Sequence, residues 1–557
     1  TSAASARSGA SGASDASAAP RAAGDGHQPV VRPGALPEGV LTVCWRSWYD
    51  FALWFGHLDQ EYGSHLLWLL FSTQHLLKGV VQQLQASAVM WVLMEYGVPG
   101  PRMQVYTSVS QSAWGLKPVI GIVSDLFPIF GFRKAPYCVL MSLSGIACTC
   151  LLGFSSTETS TVLFTVGCLF GMSLQASTCD LLTEAKYSEH IRRNPAYGPD
   201  LITYVWGGIS MGNLIAILVV GWIISNLGPR AVFLACLVPS AAVLYPALAN
   251  YFEERPLASR AIREERAAFL AQGGVVFLCC LVTSLTIMLS VVGAVSDDHT
   301  VHFASAFGTI VLLVPSFHLV LRPEIARVNT FFVLQGALSL SIGGATFYFF
   351  TDTEDQFLDG PHFSPEFFAT TMGSISAGMS IVSLAIYTQY MKDWNFRKLL
   401  VLSSVWATLM SLLDVVLFLR LNRWLGIPDS LFVIGSSVGN AVTRQWQWMP
   451  GVVVMSQMCP KGMEATMFAL LAGCCNLGGQ VADYLGAYML AMLQVHPSGA
   501  LHEGKQFQNL WKASLLSTLL PAATICLIPF LIPKAKQTDR LLLRDTTSAT
   551  AGSWYDR

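Results

Sequence analysis

The sequence predicts an all-helical protein that crosses a membrane many times, and three observations carry this prediction. Hydrophobic residues make up 53% of the 557 positions and charged residues only 12%, about half of the roughly 25% usual in soluble domains. The apolar residues form long runs, many of which reach the roughly 20 residues that a helix needs to cross the hydrocarbon core. Lysine and arginine are concentrated in every second connection between these runs, as the positive-inside rule describes.

Fourteen segments are predicted to span the membrane, which places the two ends of the chain on the same side. They lie at 66–93, 104–126, 136–154, 161–184, 201–224, 229–249, 272–292, 301–321, 327–351, 365–391, 397–420, 429–456, 463–494 and 509–532.

The distribution of positive charge indicates which side that is. If the N-terminus is cytoplasmic, the inner connections hold fifteen Lys and Arg residues and the outer connections hold five. Positive residues favour the cytoplasmic side, so both termini are predicted to be cytoplasmic, with the plasma membrane as the default location. The outer five are Arg102, Arg230, Arg420, Arg423 and Lys505, of which Arg420 and Arg423 are marked exceptions to the rule.

The segments outside and between the spans define the predicted domains. Residues 1–40 are rich in Ala, Ser and Gly and cannot bury enough surface to fold, so they form a predicted disordered tail. Residues 41–64 contain "CWRSWYDFALWFG", whose aromatic residues suit the headgroup zone and predict an interfacial segment. The remaining predicted units are an N-terminal six-helix bundle (65–250), a cytoplasmic linker (251–271), an inserted helix pair (272–322), a C-terminal six-helix bundle (323–533) and a cytoplasmic tail (534–557).

A short internal repeat supports the division into two bundles. "GFRKAPYCVLMSL" from Gly131 is echoed by "NFRKLLVLSSV" from Asn395. Both stretches lie between the second and third spans of a six-helix set. Many transporters consist of two such similar bundles with a solute site between them.

Several function classes are disfavoured by the sequence. A net charge of -1 provides no basic field for a nucleic acid. No Gly-x-x-x-x-Gly-Lys-[Ser/Thr] loop is present to bind a nucleotide, which argues against a primary pump. The motifs of metalloproteases and serine hydrolases are also missing, so we expect no enzyme, no cofactor and no metal site. The sequence favours a secondary carrier as the function, and a solute sensor that kept a carrier fold is the alternative.

Lysines inside apolar spans are the first candidates for a functional site. An ionised group at membrane depth costs at least about 2.5 to 3.5 kcal/mol, so it usually faces water or a partner. Lys78 lies in the first span with Gln74, Gln82 and Gln85 at helical spacing, which predicts a polar stripe on one face. Lys117 lies in the second span.

Two further charged groups lie in the fourth spans of the two predicted bundles. Asp180 and Glu184 are four residues apart, so they share a helix face in the first bundle. Arg444 lies in the second bundle, with Trp448 one turn on. These charges either contact a solute or pair with one another for packing alone, and Arg444 has Asp483 as a possible partner in the second case.

The loop after the second span carries a recognisable motif. In "GLKPVIGIVSDLFPIFGFRKAP", residues Gly121, Asp125, Gly131, Arg133 and Lys134 resemble the cytoplasmic loop signature of the major facilitator superfamily, although the stretch before Gly131 is a couple of residues longer. A carboxylate at a helix end can pair with loop cations in one conformation and release them in another. The motif is therefore a candidate latch, with simple anchoring at the inner surface as the alternative.

Four longer stretches of the sequence resemble one particular transporter family. "GLKPVIGIVSDLFPIFGFRKAPY", "FYFFTDTEDQFLDGPHFSPEFF", "GIPDSLFVIGSSV" and "MCPKGMEATMFALLAGCCNLGGQ" are similar to the folate-biopterin transporter family and cover both bundles. The resemblance implies a major facilitator-like fold of 6+6 helices with an extra helix pair, and a carrier that imports folates, biopterin or related pteridines, with protons as the coupling ion. The family also contains carriers of S-adenosylmethionine, so that solute stays open.

The resemblance also implies roles for the charged residues, because the first and fourth helices of each facilitator half line the central cavity. Asp180 could bind the ring edge of a pterin and exchange a proton, since burial favours the protonated form of a carboxyl group. Lys78 and Arg444 could hold the acidic end of a folate, and Trp448 could stack on the ring. The predicted solute contacts are Lys78, Gln82, Asp180, Arg444 and Trp448, and the predicted gating or coupling residues are Lys117, Asp125, Arg133, Lys134 and Glu184.

Overall fold

The computed structural model covers most of the chain and divides it into two units by contacts, Thr1–His57 and Leu58–Arg557. The predicted disordered tail over 1–39 and most of the predicted linker lie outside the described residues, and the predicted domain boundaries stay predictions. The described residues are 40–194, 197–257, 272–460, 463–542 and 546–556, together with Arg263, Arg266 and Ala267.

Helix α1 (Val40–Tyr62) occupies the segment predicted to be interfacial. Its aromatic side chains lie near one another, with the Phe51 ring centroid 5.7 Å from that of Trp54 and 6.5 Å from that of Phe55. The side chains of Phe51 and Phe55 are exposed. An exposed aromatic row suits the membrane interface, and the interfacial location remains a prediction.

Each of the fourteen predicted spans falls on a helix, and the described residues contain no β-strand. The helices are α2 (64–94), α3 (100–126), α4 (Ala135–Phe154), α5 (Val162–Arg193), α6 (Gly198–Leu227), α7 (Ala231–Leu248), α8 (Gly273–Val295), α9 (His299–Val320), α10 (Pro323–Thr351), α11 (Glu366–Met391), α12 (Phe396–Phe418), α13 (Asp429–Gln457), α14 (Glu464–Met492) and α15 (Glu503–Leu531).

Ten of these helices are long and apolar enough to cross a membrane, counted over the described residues. Helices α2, α3, α13 and α14 are not among these ten. Amide, hydroxyl and charged side chains interrupt their apolar runs, which lowers their mean hydropathy. The predicted number of fourteen crossings is therefore not confirmed, although the helices themselves are present.

Helix starts follow local chemistry in the sequence. The Thr161 side chain accepts a hydrogen bond from the Phe164 N–H at the start of α5, and Asp298 accepts one from the Thr300 N–H at the start of α9. Such caps satisfy N–H groups that have no partner inside the first turn of a helix. Proline stands in the first turn of α3, α4 and α6, where its missing N–H costs nothing.

Helix α10 is broken at 339–342, where the sequence predicted a continuous span over 327–351. The backbone at the break finds partners on two other helices. The Ser341 N–H donates to the carbonyl of Ala482 (3.2 Å), and the Gln104 side chain donates to the Ser341 carbonyl (2.9 Å). Broken helices are tolerated at membrane depth where neighbouring protein satisfies the freed groups.

The two predicted halves contact each other through two helix pairs that occupy equivalent positions in the halves. Helix α3 packs against α14, and α6 packs against α11. If α2–α7 and α10–α15 are counted as halves, each pair joins the second helix of one half to the fifth helix of the other. The extra helices α8 and α9 pack against each other, and both contact α14.

Aromatic side chains close the bundle at one end, which we call the aromatic end. The Trp91 ring centroid lies 4.9 Å from that of Phe347, and the Phe347 centroid lies 5.7 Å from that of Phe368. The Tyr348 hydroxyl donates to the carbonyl of Val98 (2.7 Å). Helix α6 meets α11 chiefly over Glu366–Thr371, at this same end.

Residues after α15 connect helix ends on the opposite side, which we call the tail end. The Phe396 N–H donates to the carbonyl of Ala535 (3.0 Å) at the start of α12. The Gln537 side chain donates to the carbonyl of Met391 (2.9 Å), and the Gln457 side chain donates to the carbonyl of Gln537 (2.7 Å). The tail segment thus joins α11, α12 and α13.

The two arginines that depart from the positive-inside rule share one carboxylate. Arg420 and Arg423 pair with the two oxygens of Asp429 at 3.0 and 2.9 Å. The positive-inside rule counts Lys and Arg and not net charge, so this pairing does not explain why the two arginines depart from it. Two of the other predicted outer cations are also paired, in Arg102–Asp297 (3.0 Å) and Arg230–Glu95 (2.8 Å).

Helices α3 and α10 approach so closely that a glycine is required between them. A Cβ atom at Gly344 would overlap the backbone carbonyl of Gly100, whereas one at Gly343 would meet only side-chain atoms at 3.6 and 3.7 Å. We expect Gly344→Ala to lower the free energy of unfolding by about 1–3 kcal/mol, as overpacking of a tight core does. Thermal unfolding in detergent measures this, with Gly343→Ala as the matched control. Equal midpoints for the two variants would contradict the expectation.

A buried carboxyl group lies just beyond α10 at the aromatic end. Asp352 is 1% exposed and lies near Glu503. Glu503 is held in place by the N–H groups of Ser498 (2.9 Å) and Gly499 (2.8 Å). Burial, followed by the Glu503 carboxyl, raises the pKa of Asp352 to about 8.

The raised pKa of Asp352 predicts a pH-dependent stability. Between pH 4 and 8 the unfolded chain releases the Asp352 proton while the folded chain keeps it, so this group makes stability fall as pH rises. We expect Asp352→Asn to flatten that part of the pH profile of the unfolding midpoint. Asp355→Asn, at an exposed position nearby, is the control. A profile that keeps its slope in Asp352→Asn would show that Asp352 is ionised in the fold.

Candidate solute-binding site

Four charged side chains from three helices form a cluster inside the bundle. Asp180 of α5 lies at its centre, because one carboxylate oxygen accepts from Lys78 Nζ of α2 (2.8 Å) and the other from Lys117 Nζ of α3 (2.5 Å). Glu184 lies one turn further along α5, 3.4 Å from Lys117 Nζ and 4.0 Å from Lys78 Nζ. The cluster balances two positive charges with two negative ones.

Burial differs among the four members. The Asp180 side chain is fully buried and that of Lys117 is 11% exposed, whereas Lys78 is 18% and Glu184 26% exposed. Lys78 and Glu184 are thus the members that a solute or solvent can reach. The sequence indicated these four residues as candidate site residues, and the structure brings their side chains together.

Two tryptophans that the sequence reading missed flank the lysines. Lys78 Nζ lies 5.1 Å from the ring centroid of Trp206, and Lys117 Nζ lies 4.9 Å from that of Trp114. Lys78 Nζ also lies 5.9 Å from the Trp114 centroid. Such contacts stabilise a cation by roughly 0.5–2 kcal/mol. The stretch "WGLK" carries a usable signal, because Trp114 and Lys117 are three residues apart.

A π-helical stretch of α2, Phe71–Val81, positions Lys78. Each turn of a π-helix holds more residues than an α-helical turn, so the predicted single polar face does not form. Gln82 donates to the Gln111 side chain of α3 (3.4 Å), whereas Gln85 donates to the carbonyl of Leu169 on α5 (3.0 Å). Gln82 thus points toward the site region, and Gln85 serves packing.

A cavity of about 320 Å³ lies between α3 and α14. This volume is within the range of about 300–1,000 Å³ typical of small-molecule pockets. Trp114 lines it and also lies beside both lysines, so the cavity adjoins the charge cluster. The polar lining residues are Thr107, Ser108, Gln111 and Ser112 of α3 and Asn476, Gln480 and Asp483 of α14.

Asp483 is the acidic residue of this cavity wall, and its surroundings differ from those of Asp180. Its carboxyl group is hydrogen-bonded by the hydroxyls of Ser108 and Ser341. No ion pair connects it to a cation in the described part of the chain, and the suggested partner Arg444 is not bonded to it. The sequence indicated Asp483 only as that partner, and Asn476 and Gln480 at helical spacing before it were the available signal of a polar face on α14.

The predicted contacts on α13 lie apart from the cluster. Arg444 is exposed and Trp448 is 56% exposed, and neither contacts the lysines or Asp180. Trp446 is the more enclosed tryptophan of the pair, and its indole N–H donates to the Ser383 carbonyl (3.4 Å). The structure therefore joins Lys78, Gln82 and Asp180 in one region but leaves the roles of Arg444 and Trp448 as predictions.

The loop motif after α3 is tied to its own half of the molecule. Lys134 pairs with Glu189 at the end of α5. The Glu254 carboxylate accepts from the backbone N–H groups of Lys134 (3.0 Å) and Ala135 (3.0 Å), which caps α4. Asp125 is exposed and Arg133 is half-buried. The latch role of this motif remains a prediction.

No group of three His, Cys, Asp or Glu side chains within the described residues is arranged to hold a metal ion.

A model of the BT1 family matches residues 78–551, which is most of the sequence. The chain belongs to the BT1 family. This membership confirms the predicted resemblance to folate-biopterin transporters, and the matched region contains Lys78, Asp180 and the cavity-lining helices.

Curated relatives match about four fifths of the chain. The chain is 26% identical over 439 residues to "Probable folate-biopterin transporter 2" of Arabidopsis thaliana, covering 78% of this chain and 76% of that one. It is 26% identical over 469 residues to the "Folate-biopterin transporter" of Synechocystis (83% and 81%), and 21% identical over 440 residues to "Folate transporter 2" of Plasmodium falciparum (78% and 80%). These names and the family identify a transporter and not an enzyme.

Solved structures of similar fold include members of the POT family. A POT family transporter in complex with 5-aminolevulinic acid superposes with a TM-score of 0.59 at 14% identity, covering 84% of this chain and 96% of that one. A second, from a study of proton dependent oligopeptide transporters, gives a TM-score of 0.55 at 13% identity (84% and 99%). The predicted fold class, an all-helical multi-pass membrane protein of the major facilitator type, is confirmed.

The geometry of the charge cluster predicts unequal costs for removing its two carboxylates. Asp180→Asn leaves the buried Lys117 and the half-buried Lys78 without their central counter-ion, so we expect the free energy of unfolding to fall by about 3–5 kcal/mol. Glu184→Gln removes a more exposed and more distant charge, so we expect a loss of at most about 1 kcal/mol. Thermal unfolding of both variants in detergent tests this difference. A larger loss in Glu184→Gln would show that Asp180 is not the centre of the cluster.

Proposed function

We propose that this protein imports folates, biopterin or related pteridines by alternating access, with proton movement as the coupled step. The observation that carries the proposal is the charge cluster around Asp180 and the polar cavity beside it, which share Trp114. Ionised groups at membrane depth are rare and mark solute or proton pathways. The names of the relatives in plants, cyanobacteria and Plasmodium supply the solute class.

The cluster suits an acidic solute with an aromatic ring. A folate has carboxylates in its tail, which an ammonium group such as that of Lys78 can bind, and a flat ring that an indole can stack on. Lys78 is the more exposed lysine, so we assign it the first contact with the tail.

Charge balance gives a physical reason for proton coupling. The cluster is neutral, so an entering anion adds negative charge to a region of low dielectric constant. A proton taken up by a carboxylate restores the balance and releases a lysine for the solute. Both oxygens of Asp180 are already engaged by ammonium groups, so we assign proton exchange to Glu184, which has the longer contacts and the greater exposure.

The contacts between the halves support alternating access. The aromatic end is closed by Trp91, Phe347 and Phe368, and the α6–α11 contact is concentrated there. Rigid rotation of the halves would open this end while closing the other. We place the tail end in the cytoplasm and the protein in the plasma membrane, on the distribution of Lys and Arg.

The alternatives named by the sequence make different predictions. A carrier of the cation S-adenosylmethionine would favour an excess of negative charge; the cluster pairs each of its carboxylates with a lysine, and Asp483 in the adjoining cavity is the one carboxylate without a cation among the described residues of the site. A non-transporting sensor would bind solute without exchanging it across the membrane. Counterflow of labelled solute separates a sensor from a carrier.

The test is uptake into proteoliposomes that contain the purified protein. We expect labelled folate and biopterin to be taken up faster with an imposed proton gradient, and S-adenosylmethionine not to compete. Lys78→Gln should lower folate uptake by about tenfold, which corresponds to about 1.4 kcal/mol, and should affect biopterin less because biopterin has no acidic tail. Lys392→Gln, at an exposed loop position, is the matched control.

Two results would contradict the proposal. Uptake of S-adenosylmethionine without uptake of either pteridine would reassign the solute. Binding of folate with no counterflow in a sealed vesicle would identify a sensor.

A further inference from the structure

We propose that Asp483 determines which ring the protein accepts, by binding the aminopyrimidinone edge of the solute while the lysines of the charge cluster hold its acidic end. This inference rests on the proposed function and adds a specificity site on α14 to it. A carboxylate and the paired N–H donors of that edge, on the ring nitrogen and the exocyclic amine, can form two parallel hydrogen bonds.

The choice between the buried carboxylate of Asp180 and the half-buried carboxylate of Asp483 follows from their partners. Both oxygens of Asp180 accept from ammonium groups at 2.8 and 2.5 Å, so a neutral ring would have to displace a lysine to reach it. Among the described residues, Asp483 has only the hydroxyls of Ser108 and Ser341 as side-chain partners. A hydroxyl can turn to another acceptor at little cost, so the Asp483 carboxylate is the one that can exchange partners for a solute.

The cavity around Asp483 has the size and polarity for a small bicyclic ring. Its volume of about 320 Å³ lies at the small end of the range for ligand pockets. Amide and hydroxyl groups of Gln111, Ser112 and Gln480 line it and can orient the other ring atoms. A site with few and fixed polar groups in a confined space discriminates by rejecting solutes that leave those groups unpaired.

Trp114 connects the ring site to the charge cluster. Its side chain lines the cavity and lies within 5.9 Å of both lysine ammonium groups, measured to the ring centroid. Its indole N–H is buried and has no hydrogen-bond partner among the described residues. A solute that stacks on or beside this indole could reach Asp483 with its ring and Lys78 with its tail.

The charged groups assigned to the two ends of such a solute belong to different halves of the molecule. Asp483 belongs to α14, and its partner Ser341 lies in the break of α10. The lysines belong to α2 and α3. A ring in the cavity would contact both halves, because α3 and α14 both line it, and the tail would add contacts with the lysines of the first half.

The experiment measures binding to the purified protein in detergent with four probes. They are folate, 2-desaminofolate (which lacks the exocyclic amine), biopterin and p-aminobenzoylglutamate (which lacks the ring). We expect the native protein to bind folate at least about tenfold more tightly than 2-desaminofolate, because the missing amine removes one charge-assisted bond. In Asp483→Asn we expect folate and biopterin affinity to fall about 10- to 100-fold, and p-aminobenzoylglutamate affinity to stay within twofold.

The decisive comparison is between folate and 2-desaminofolate in the two proteins. The preference for folate should be lost in Asp483→Asn and kept in Asp414→Asn, a matched control on α12 whose carboxyl group is hydrogen-bonded by Ser436 and Asn440 outside the cavity. An unchanged preference in Asp483→Asn would overturn the inference. So would an equal loss for all four probes, since that result indicates a damaged fold.

A second variant keeps the test informative, and the pattern of results separates failure of the inference from failure of the proposed function. If Asp483→Asn is not recovered as folded protein, Ser108→Ala removes a partner of Asp483 and should change the folate to 2-desaminofolate ratio without changing p-aminobenzoylglutamate binding; an unchanged ratio overturns the inference. Failure of the inference alone appears as tight folate binding that does not depend on Asp483. Failure of the proposed function appears as a native protein that binds none of the four probes, which overturns the inference as well.

Discussion

The structure depends on the contact of Asp180 with two ammonium groups inside an apolar bundle. Lys78, Lys117 and Asp180 would each be costly at membrane depth alone, and together they form a network in which every charge has an opposite neighbour. Because the three residues come from α2, α3 and α5, the network also fixes the relative positions of these helices. Polar groups that specify one arrangement in this way restrict the packing alternatives of an otherwise uniform apolar surface.

Three of the less apolar helices, α2, α3 and α14, build the candidate site together with the more apolar α5, which carries Asp180 and Glu184. Helix α2 supplies Lys78 and Gln82, whereas α3 and α14 supply the cavity wall. Their polar side chains lower the mean hydropathy below that of a free-standing span, and other helices shield these side chains from lipid. The polar side chains that make these helices less apolar are therefore also the groups that can contact a solute.

The sequence predicted the features that depend on local composition. Apolar runs located every helix, and the rarity of charge in those runs pointed to Lys78, Lys117, Asp180 and Glu184 before any contact was known. The features that it did not predict depend on geometry between segments. The π-helical stretch at Phe71–Val81 changes which side chains share a face, and the break in α10 depends on partners from Gln104 and Ala482 that lie far away in the chain.

Asp483 illustrates the same limit at the site. Its importance comes from two hydroxyls on other helices and from a cavity shared with α3. A single carboxylate in an apolar run carries none of that information. Arg444 is the opposite case, because its charge attracted attention in the sequence while the structure leaves it exposed and away from the cluster.

The tail segment has a mechanical consequence for the second half of the molecule. Ala535 and Gln537 form hydrogen bonds with the ends of α11, α12 and α13. The same short tail segment therefore connects all three helix ends through main-chain and amide groups. Helices joined in that way resist bending one at a time. If that end opens, the three helices would therefore move together as one rigid body. Bending would be limited to segments that the tail does not contact, such as the break in α10.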